Sequence, residues 1–295
     1  MPEVELSAGT IEYRDTGGDG PVLVMLHGLT MDSSLWRKVL PDLRDYRCVL
    51  PTLPLGGHSR PMRSDADLTL PAMARLVAEF LDKLDLNDVT LVGNDWGGPQ
   101  LLVSEQVDDR VGRLVLCAVE AFDNYPPGTA ARALAKAAKI PGVLTLALQA
   151  LRSRRLRGLP SAWGGMSKRG VPDEVLDAWF RPALTQRAIR RDLRKYSTSV
   201  PSKDTLLEWA ERQRRFDRPV LVVWATEDRI MPREHGRRLA DLFPDGRLVE
   251  IADSYTLIPE DQPAELATAY VMLADPRSSF TSGTTVAVTG GKPFI

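Results

Sequence analysis

The stretch Val89-Thr90-Leu91-Val92-Gly93-Asn94-Asp95-Trp96-Gly97-Gly98 holds the strongest chemical signal in the chain. A short apolar run ends in one acidic residue held between small ones, and helix-forming sequence follows from Pro99. Glycines at 93 and 97 allow a strand to turn sharply into a helix where a side chain would meet neighbouring backbone. Asp95 would then project alone from the strand end, beside a helix N-terminus that favours an anion. This is the small-x-nucleophile-x-small pattern of a nucleophile elbow, with Asp in place of Ser. The alternative for Asp95 is a plain helix cap.

Four further regions carry groups able to assist. His27-Gly28-Leu29-Thr30 follows an uninterrupted apolar run, Val22 to Leu26, and His58 lies in the Pro- and Gly-rich loop 51–60. Glu120 ends the strand-like run Leu114 to Val119, and Asp228 lies just past the run Val220 to Trp224. Either could also be a helix cap or a surface carboxylate. The chain has only three histidines, His27, His58 and His235, so any base after residue 235 must be something else.

The elements that must position these groups follow from periodicity. Val4 to Leu6 and Thr10 to Arg14 read as a hairpin, and Tyr46 to Leu50 as a strand after a helix through Trp36 and Leu40. Leu70 to Leu84 carries apolar residues at helical spacing. Apolar runs alternating with helices predict an α/β fold, a mostly parallel sheet flanked by helices. Residues 1–124 form the first part of that core on this reading, and 219–274 the second. A helix from Glu234 to Phe243, a strand from Arg247 to Ile251 and a helix from Pro263 to about Leu273 complete it. Residues 125–218 are helical in pattern and broken by Pro141, Pro160, Pro172 and Pro182. They read as an inserted helical cap over a pocket, with Trp163 and Trp179 as lining. Residues 275–295, rich in Ser, Thr and Gly, read as a flexible extension or an added edge strand.

Composition narrows the function. A net charge of -1 gives no electrostatic reason for a nucleic-acid partner, and the Arg-rich patch 152–157 reads as a solvated face. No apolar run reaches the ~18 residues of a membrane span, so no membrane association is expected. Cys48 and Cys117 sit in apolar runs without metal-ligand spacing, which predicts two buried thiols, no metal and a reducing, cytoplasmic compartment. No cofactor is expected; the partner is a small apolar molecule in the capped pocket.

Taken together, these motifs resemble the α/β-hydrolase superfamily, and within it the capped epoxide hydrolases and haloalkane dehalogenases. His27-Gly28 is similar to the family's oxyanion-loop His-Gly, and Gly93 to Gly98 to its Gly-His-Asp-Trp-Gly-Gly, differing at Asn94. Trp224 to Pro232 is similar to its acid loop. The resemblance implies that Asp95 attacks an electrophilic carbon and becomes an alkyl ester. It implies that the N–H groups of Leu29 and Trp96 steady the charge when water attacks that ester, and that His27 braces the turn. The Trp96 indole would hold a departing group, Tyr196 of the cap would protonate an epoxide oxygen, and Asp228, or Glu120, would be the acid.

The chain departs from the family at the base. In Ile251 to Pro263, Tyr255 stands where the catalytic His is expected. An ordinary tyrosine, with a pKa of about 10, is a poor base at neutral pH. His58 is the candidate substitute, and His235 is expected on an exposed helix. Leu29 replaces an Asn that many dehalogenases use for halide, which favours epoxide chemistry. Three functions stay open on this reading. One is an epoxide-hydrolase-like enzyme with His58 or a positioned water as base. Another is a lyase, isomerase or cyclase with Asp95 as base and Tyr255 or Tyr196 as acid. The third is a silent small-molecule receptor.

Overall fold

The computed structural model describes residues 1–274, so the segment 275–295 and the two readings given for it lie outside the described residues. An eight-stranded sheet runs through the centre in the order β1-β2-β4-β3-β5-β6-β7-β8. The strands are β1 (Glu3–Leu6), β2 (Gly9–Asp15), β3 (Val22–Leu26), β4 (Arg47–Pro51), β5 (Val89–Asp95), β6 (Val111–Val119), β7 (Val220–Ala225) and β8 (Gly246–Ile251). β1 and β2 form the antiparallel hairpin, β2 pairs antiparallel with β4, and the strands from β4 to β8 run parallel. Every residue of β5 and β7 is buried, as unbroken apolar runs covered on both faces by helices must be.

The sheet order reverses direction between β3 and β5. At such a point the connections leave to opposite faces and a crevice opens beyond the strand ends. His27-Gly28-Leu29 follows β3, Asp95 ends β5, Glu120 follows β6 and Asp228 lies just beyond β7, so parallel pairing alone collects the chemical residues along one edge.

α1 (Leu70–Lys83) matches its sequence signal. The Thr69 hydroxyl accepts from Ala72 N–H at the N-terminus, and Met73, Leu76, Val77, Phe80 and Leu81 are buried against the sheet. Each such burial contributes roughly 2 kcal/mol before entropy is counted. The helix expected through Trp36 and Leu40 is instead two 3₁₀ turns, Ser33–Lys38 and Leu40–Asp42. Pro41 lacks the N–H that a continuous helix would need there, and Asp32 caps the first turn through Ser34 N–H.

After the elbow come α2 (Gly98–Ser104) and, beyond β6, the helices α3 (Gly128–Lys139), α4 (Val143–Ala150), α5 (Arg154–Arg157), α6 (Asp173–Thr185), α7 (Arg187–Thr198) and α8 (Lys203–Arg212). α3, α4, α6 and α7 share a small apolar core of Ala138, Leu144, Leu148, Ala183, Ile189 and Leu193. α8 returns to the sheet and packs on α2, where Ser104 Oγ donates to Trp209 O at 3.0 Å. α8 thus packs on the core although it lies within the span 125–218 read as a cap. The Arg152–Arg157 patch is only partly solvated. Arg157 is buried and donates to both Asp173 and Asp177 at 2.5 Å. α9 (Arg233–Ala240), α10 (Ile258–Asp261) and α11 (Pro263–Ala274) complete the described core. Among the described residues no helix is long and apolar enough to cross a membrane, and no cluster of His, Cys, Asp and Glu could hold a metal.

Candidate active site

Asp95 sits at φ 67°, a left-handed conformation that only a tight turn forces on a non-glycine residue. Trp96 N–H closes that turn by donating to Asn94 O at 2.8 Å. A Cβ on Gly93 would lie 2.6 Å from Pro99 Cγ, so the α2 entrance can fold back over β5 only because residue 93 has none. A Cβ on Gly28 would lie 2.1 Å from Asp95 Oδ2, so the loop after β3 presses directly on the carboxylate. From that loop Leu29 N–H reaches Asp95 Oδ2 at 3.4 Å. His27 is bonded within its surroundings: its Nδ1 meets Gly28 O at 2.8 Å and its Nε2 accepts from Leu53 N–H at 2.9 Å. Burial holds His27 down to about 4, so it is neutral and cannot serve as a base for Asp95 while both nitrogens are engaged.

Asp95 faces a cavity of roughly 510 Å³ between the sheet edge and the roof. Its walls are mostly apolar. Leu29 and Ile230 come from the core, Trp163 and Met166 from the segment before α6, and a row of alanines, Ala130, Ala131, Ala133 and Ala137, from α3. The acidic side chains lining it are Asp95 and Glu120, and Arg132 and Arg229 are its cations. Burial pushes Asp95 up to about 7; Leu29 N–H opposes the shift and the charge of Asp228 adds to it. Glu120 is pushed well above the carboxylate range, first by burial and then by the charge of Asp95, while Gly97 N–H opposes.

Asp228 is held at one oxygen. Oδ1 accepts from Ile230 N–H at 2.8 Å, Met231 N–H at 2.9 Å and the Thr256 hydroxyl at 2.8 Å. Oδ2 is sealed from solvent and accepts nothing. Burial raises Asp228 to about 6 against the pull of those donors.

Several expectations need correction. The side chain that meets Asp228 is Thr256, not Tyr255. Tyr255 turns its ring under Arg229, whose guanidinium carbon lies 4.3 Å from the ring centroid, and its N–H donates to Asp261 Oδ2. His58 does not line the cavity. It is buried, its Nδ1 accepts from Gly56 N–H at 3.2 Å, and its Nε2 faces Asp192 Oδ2 of α7 at 3.4 Å. Both nitrogens are occupied and burial lowers its pKa, so the geometry gives it no path to a water at Asp95. His235 is buried rather than exposed, edge-on to Phe122 at 5.2 Å.

Tyr196 is also outside the lining. It is buried, hydrogen-bonded to Tyr125, and raised well above its usual pKa chiefly by burial. Trp163 lines the cavity, but Trp179 stands behind it, with ring centroids 5.7 Å apart and its Nε1 donating to Ser34 Oγ. Trp96 N–H is used within the elbow turn and is not a free oxyanion donor. Its indole Nε1 is buried without a partner.

Sequence reasoning missed Thr256 and Asn94. Asn94 Nδ2 donates to Cys117 O at 2.9 Å and to Thr256 O at 2.8 Å, so it ties β5 to β6 and to the loop carrying Thr256. Tyr255 and Thr256 are adjacent, so no spacing in the sequence separates them; the backbone path after β8 does.

Comparison with known proteins agrees with this geometry. Residues 21–263 match the alpha/beta hydrolase fold family. The chain is 31% identical over 273 residues to haloalkane dehalogenase 2 of Mycobacterium tuberculosis, covering 90% of this chain and 91% of that protein. It is 26% identical to the uncharacterized hydrolase YugF of Bacillus subtilis, covering 85% and 88%. Among solved structures, an alpha/beta hydrolase fold protein from Burkholderia ambifaria superposes with a TM-score of 0.74 at 25% identity, covering 92% of this chain and 96% of that one. Haloalkane dehalogenase DbeA from Bradyrhizobium elkani shares the fold at a TM-score of 0.71 and 19% identity, covering 92% and 95%. With an acidic elbow beneath a roofed apolar cavity, the chain belongs to the α/β-hydrolase family and is haloalkane dehalogenase-like.

Proposed function

We propose that the protein hydrolyses a small apolar electrophile, an epoxide or a haloalkane, through an alkyl ester on Asp95. The observation that carries this reading is the placement of Asp95. Its carboxylate faces an apolar cavity, an elbow turn holds it there, and a loop N–H stands 3.4 Å from one oxygen. A desolvated carboxylate so held attacks a carbon without first shedding water. Leu29 N–H would then meet the charge that develops when water attacks the ester. Leu29 presents an apolar side chain to the cavity, which favours an epoxide over a halide that would need a further donor.

The test is intact-protein mass and product analysis after incubation with 1,2-epoxyhexane and with 1-bromohexane. An adduct mapping to Asp95, or diol or alcohol product, either one lost in Asp95→Ala, supports the reading. Absence of both adduct and product with both compounds would sink it.

A further inference from the structure

No histidine lines the cavity, yet both halves of an ester mechanism move protons. Opening an epoxide leaves an alkoxide that must be protonated, and hydrolysing the ester requires a proton to leave the attacking water. Among the described residues, the only titratable side chain lining the cavity beside Asp95, arginines aside, is Glu120.

The two carboxyl-bearing residues line the same cavity, and backbone hydrogen bonds tie them together. Glu120 N–H donates to Asp95 O at 3.0 Å, so the chain just past β6 is locked to the elbow. Gln100 Nε2 donates to Glu120 O at 2.6 Å from α2, and Gly97 N–H reaches the Glu120 side chain. Two carboxyls lining one largely apolar cavity do not both ionise readily, because each charge opposes the other.

We propose that Glu120 acts as general acid and then as general base on an epoxide opened by Asp95, replacing the missing histidine; this rests on the function proposed above. In the first step an Asp95 oxygen bonds to an epoxide carbon, the ring C–O bond breaks, and the alkoxide takes the Glu120 proton. The products are a hydroxyalkyl ester and a Glu120 carboxylate. Esterification removes the charge of Asp95, which after burial is the second cause that disfavours a Glu120 anion, so the anion is opposed less in the intermediate than in the free pair. In the second step water attacks Asp95 Cγ and gives a proton to Glu120. The tetrahedral intermediate then expels the diol oxygen, which takes the proton of the newly added hydroxyl. Asp95 ends as a carboxylate and Glu120 as an acid, as at the start, and the sum is epoxide plus water to diol.

The surroundings raise both carboxyls. Glu120 faces Asp95 of β5 and the linked phenols of Tyr125 and of Tyr196 on α7. Asp95 is raised to about 7, and Glu120 is raised well above its usual range. Two carboxyls lining one apolar cavity keep a proton between them, and that proton is assigned to Glu120 because Asp95 is the carboxylate that the elbow turn and Leu29 N–H hold at the cavity as nucleophile.

A haloalkane separates the two roles, because halide leaves without a proton. In Glu120→Gln, 1-bromohexane should alkylate Asp95 at a rate within about threefold of the parent, while the ester persists about 10²-fold longer or more. With 1,2-epoxyhexane the same variant should form its ester at least about tenfold more slowly than the parent. A purely structural role would slow both probes alike. Glu120→Asp, which keeps the carboxyl, should clear the ester at an intermediate rate and covers the case of a poorly folded amide variant. Equal slowing of both probes, or ester clearance at the parental rate in Glu120→Gln, overturns the proposal. A parental ester that never clears also overturns it, while leaving Asp95 as a nucleophile. Failure of the parent to form either adduct or product removes the Asp95 reading itself, and this one with it.

Discussion

The Thr256 hydroxyl donates to Asp228 Oδ1 at 2.8 Å, while Oδ2 of the same carboxylate is buried and bonded to nothing. The acid is thus oriented by backbone and hydroxyl, with one acceptor left over on a residue whose charge is felt by Asp95. An imidazole carried at position 256 would supply the missing donor to Oδ2, and its other nitrogen could serve a water at the ester. Thr256→His should therefore shorten the lifetime of the Asp95 ester by about 10²-fold or more. The decay should gain a pH limb at about 6 to 7, the ordinary range of histidine. The measurement is ester decay by intact mass after substrate is removed. An unchanged lifetime in a folded variant would show that residue 256 does not face the reacting carbon.

Much of this was legible because the chemistry sits at strand ends. Unbroken apolar runs announce β3, β5, β6 and β7, and parallel pairing then brings Gly28, Asp95, Glu120 and Asp228 to one edge whatever the loops do. What stayed hidden depends on loop conformation. Thr256 and Tyr255 are adjacent, and only the backbone path after β8 decides that Thr256 meets Asp228 while Tyr255 turns under Arg229. The same holds for His58, whose type suggests a base but whose two nitrogens are claimed by Gly56 N–H and by Asp192, over 100 residues away. A partner at that distance in sequence leaves no local pattern to read.

The contact between Gly28 and Asp95 makes a sharp prediction. Because a Cβ at residue 28 would lie 2.1 Å from Oδ2, Gly28→Ala must push either the loop or the carboxylate aside. Overpacking of this kind costs about 1 to 3 kcal/mol in stability. A shift of about 1 Å in the nucleophile costs about 10²-fold in rate. Ester formation should fall by that factor with the circular dichroism spectrum unchanged. Parental alkylation in Gly28→Ala would mean that Asp95 is not held where the geometry puts it.

His58 should matter for stability and not for the ester. It joins the loop 51–63 to α7 through Asp192, which also accepts from Met62 N–H at 2.8 Å and pairs with Arg191. His58→Ala removes one of three kinds of partner from a buried carboxylate, a loss of about 1 to 3 kcal/mol. Denaturant unfolding should show that loss, while the lifetime of the Asp95 ester stays within about twofold of the parent. A greatly lengthened ester in this variant would restore His58 as the base and count against Glu120.

The raised pKa of Asp95 ties reactivity and stability to pH in opposite senses. Only the carboxylate attacks carbon, so ester formation should fall about tenfold per pH unit below about 7, the value to which burial pushes Asp95. For stability, the folded protein holds a proton on Asp95 between its ordinary 3.8 and about 7, where the unfolded chain has lost it. Stability is then lost as pH rises through that window, by about 4 kcal/mol for a shift of roughly three units. Asp228, raised to about 6, adds loss of the same sign over a narrower range. Asp95→Asn cannot ionise and tolerates the left-handed turn. It should therefore be more stable than the parent at pH 8 and gain little at pH 4, as read by urea unfolding at both. Equal stability of the two proteins at pH 8 would show that the nucleophile is not desolvated, and the pH dependence of alkylation would then have to vanish as well.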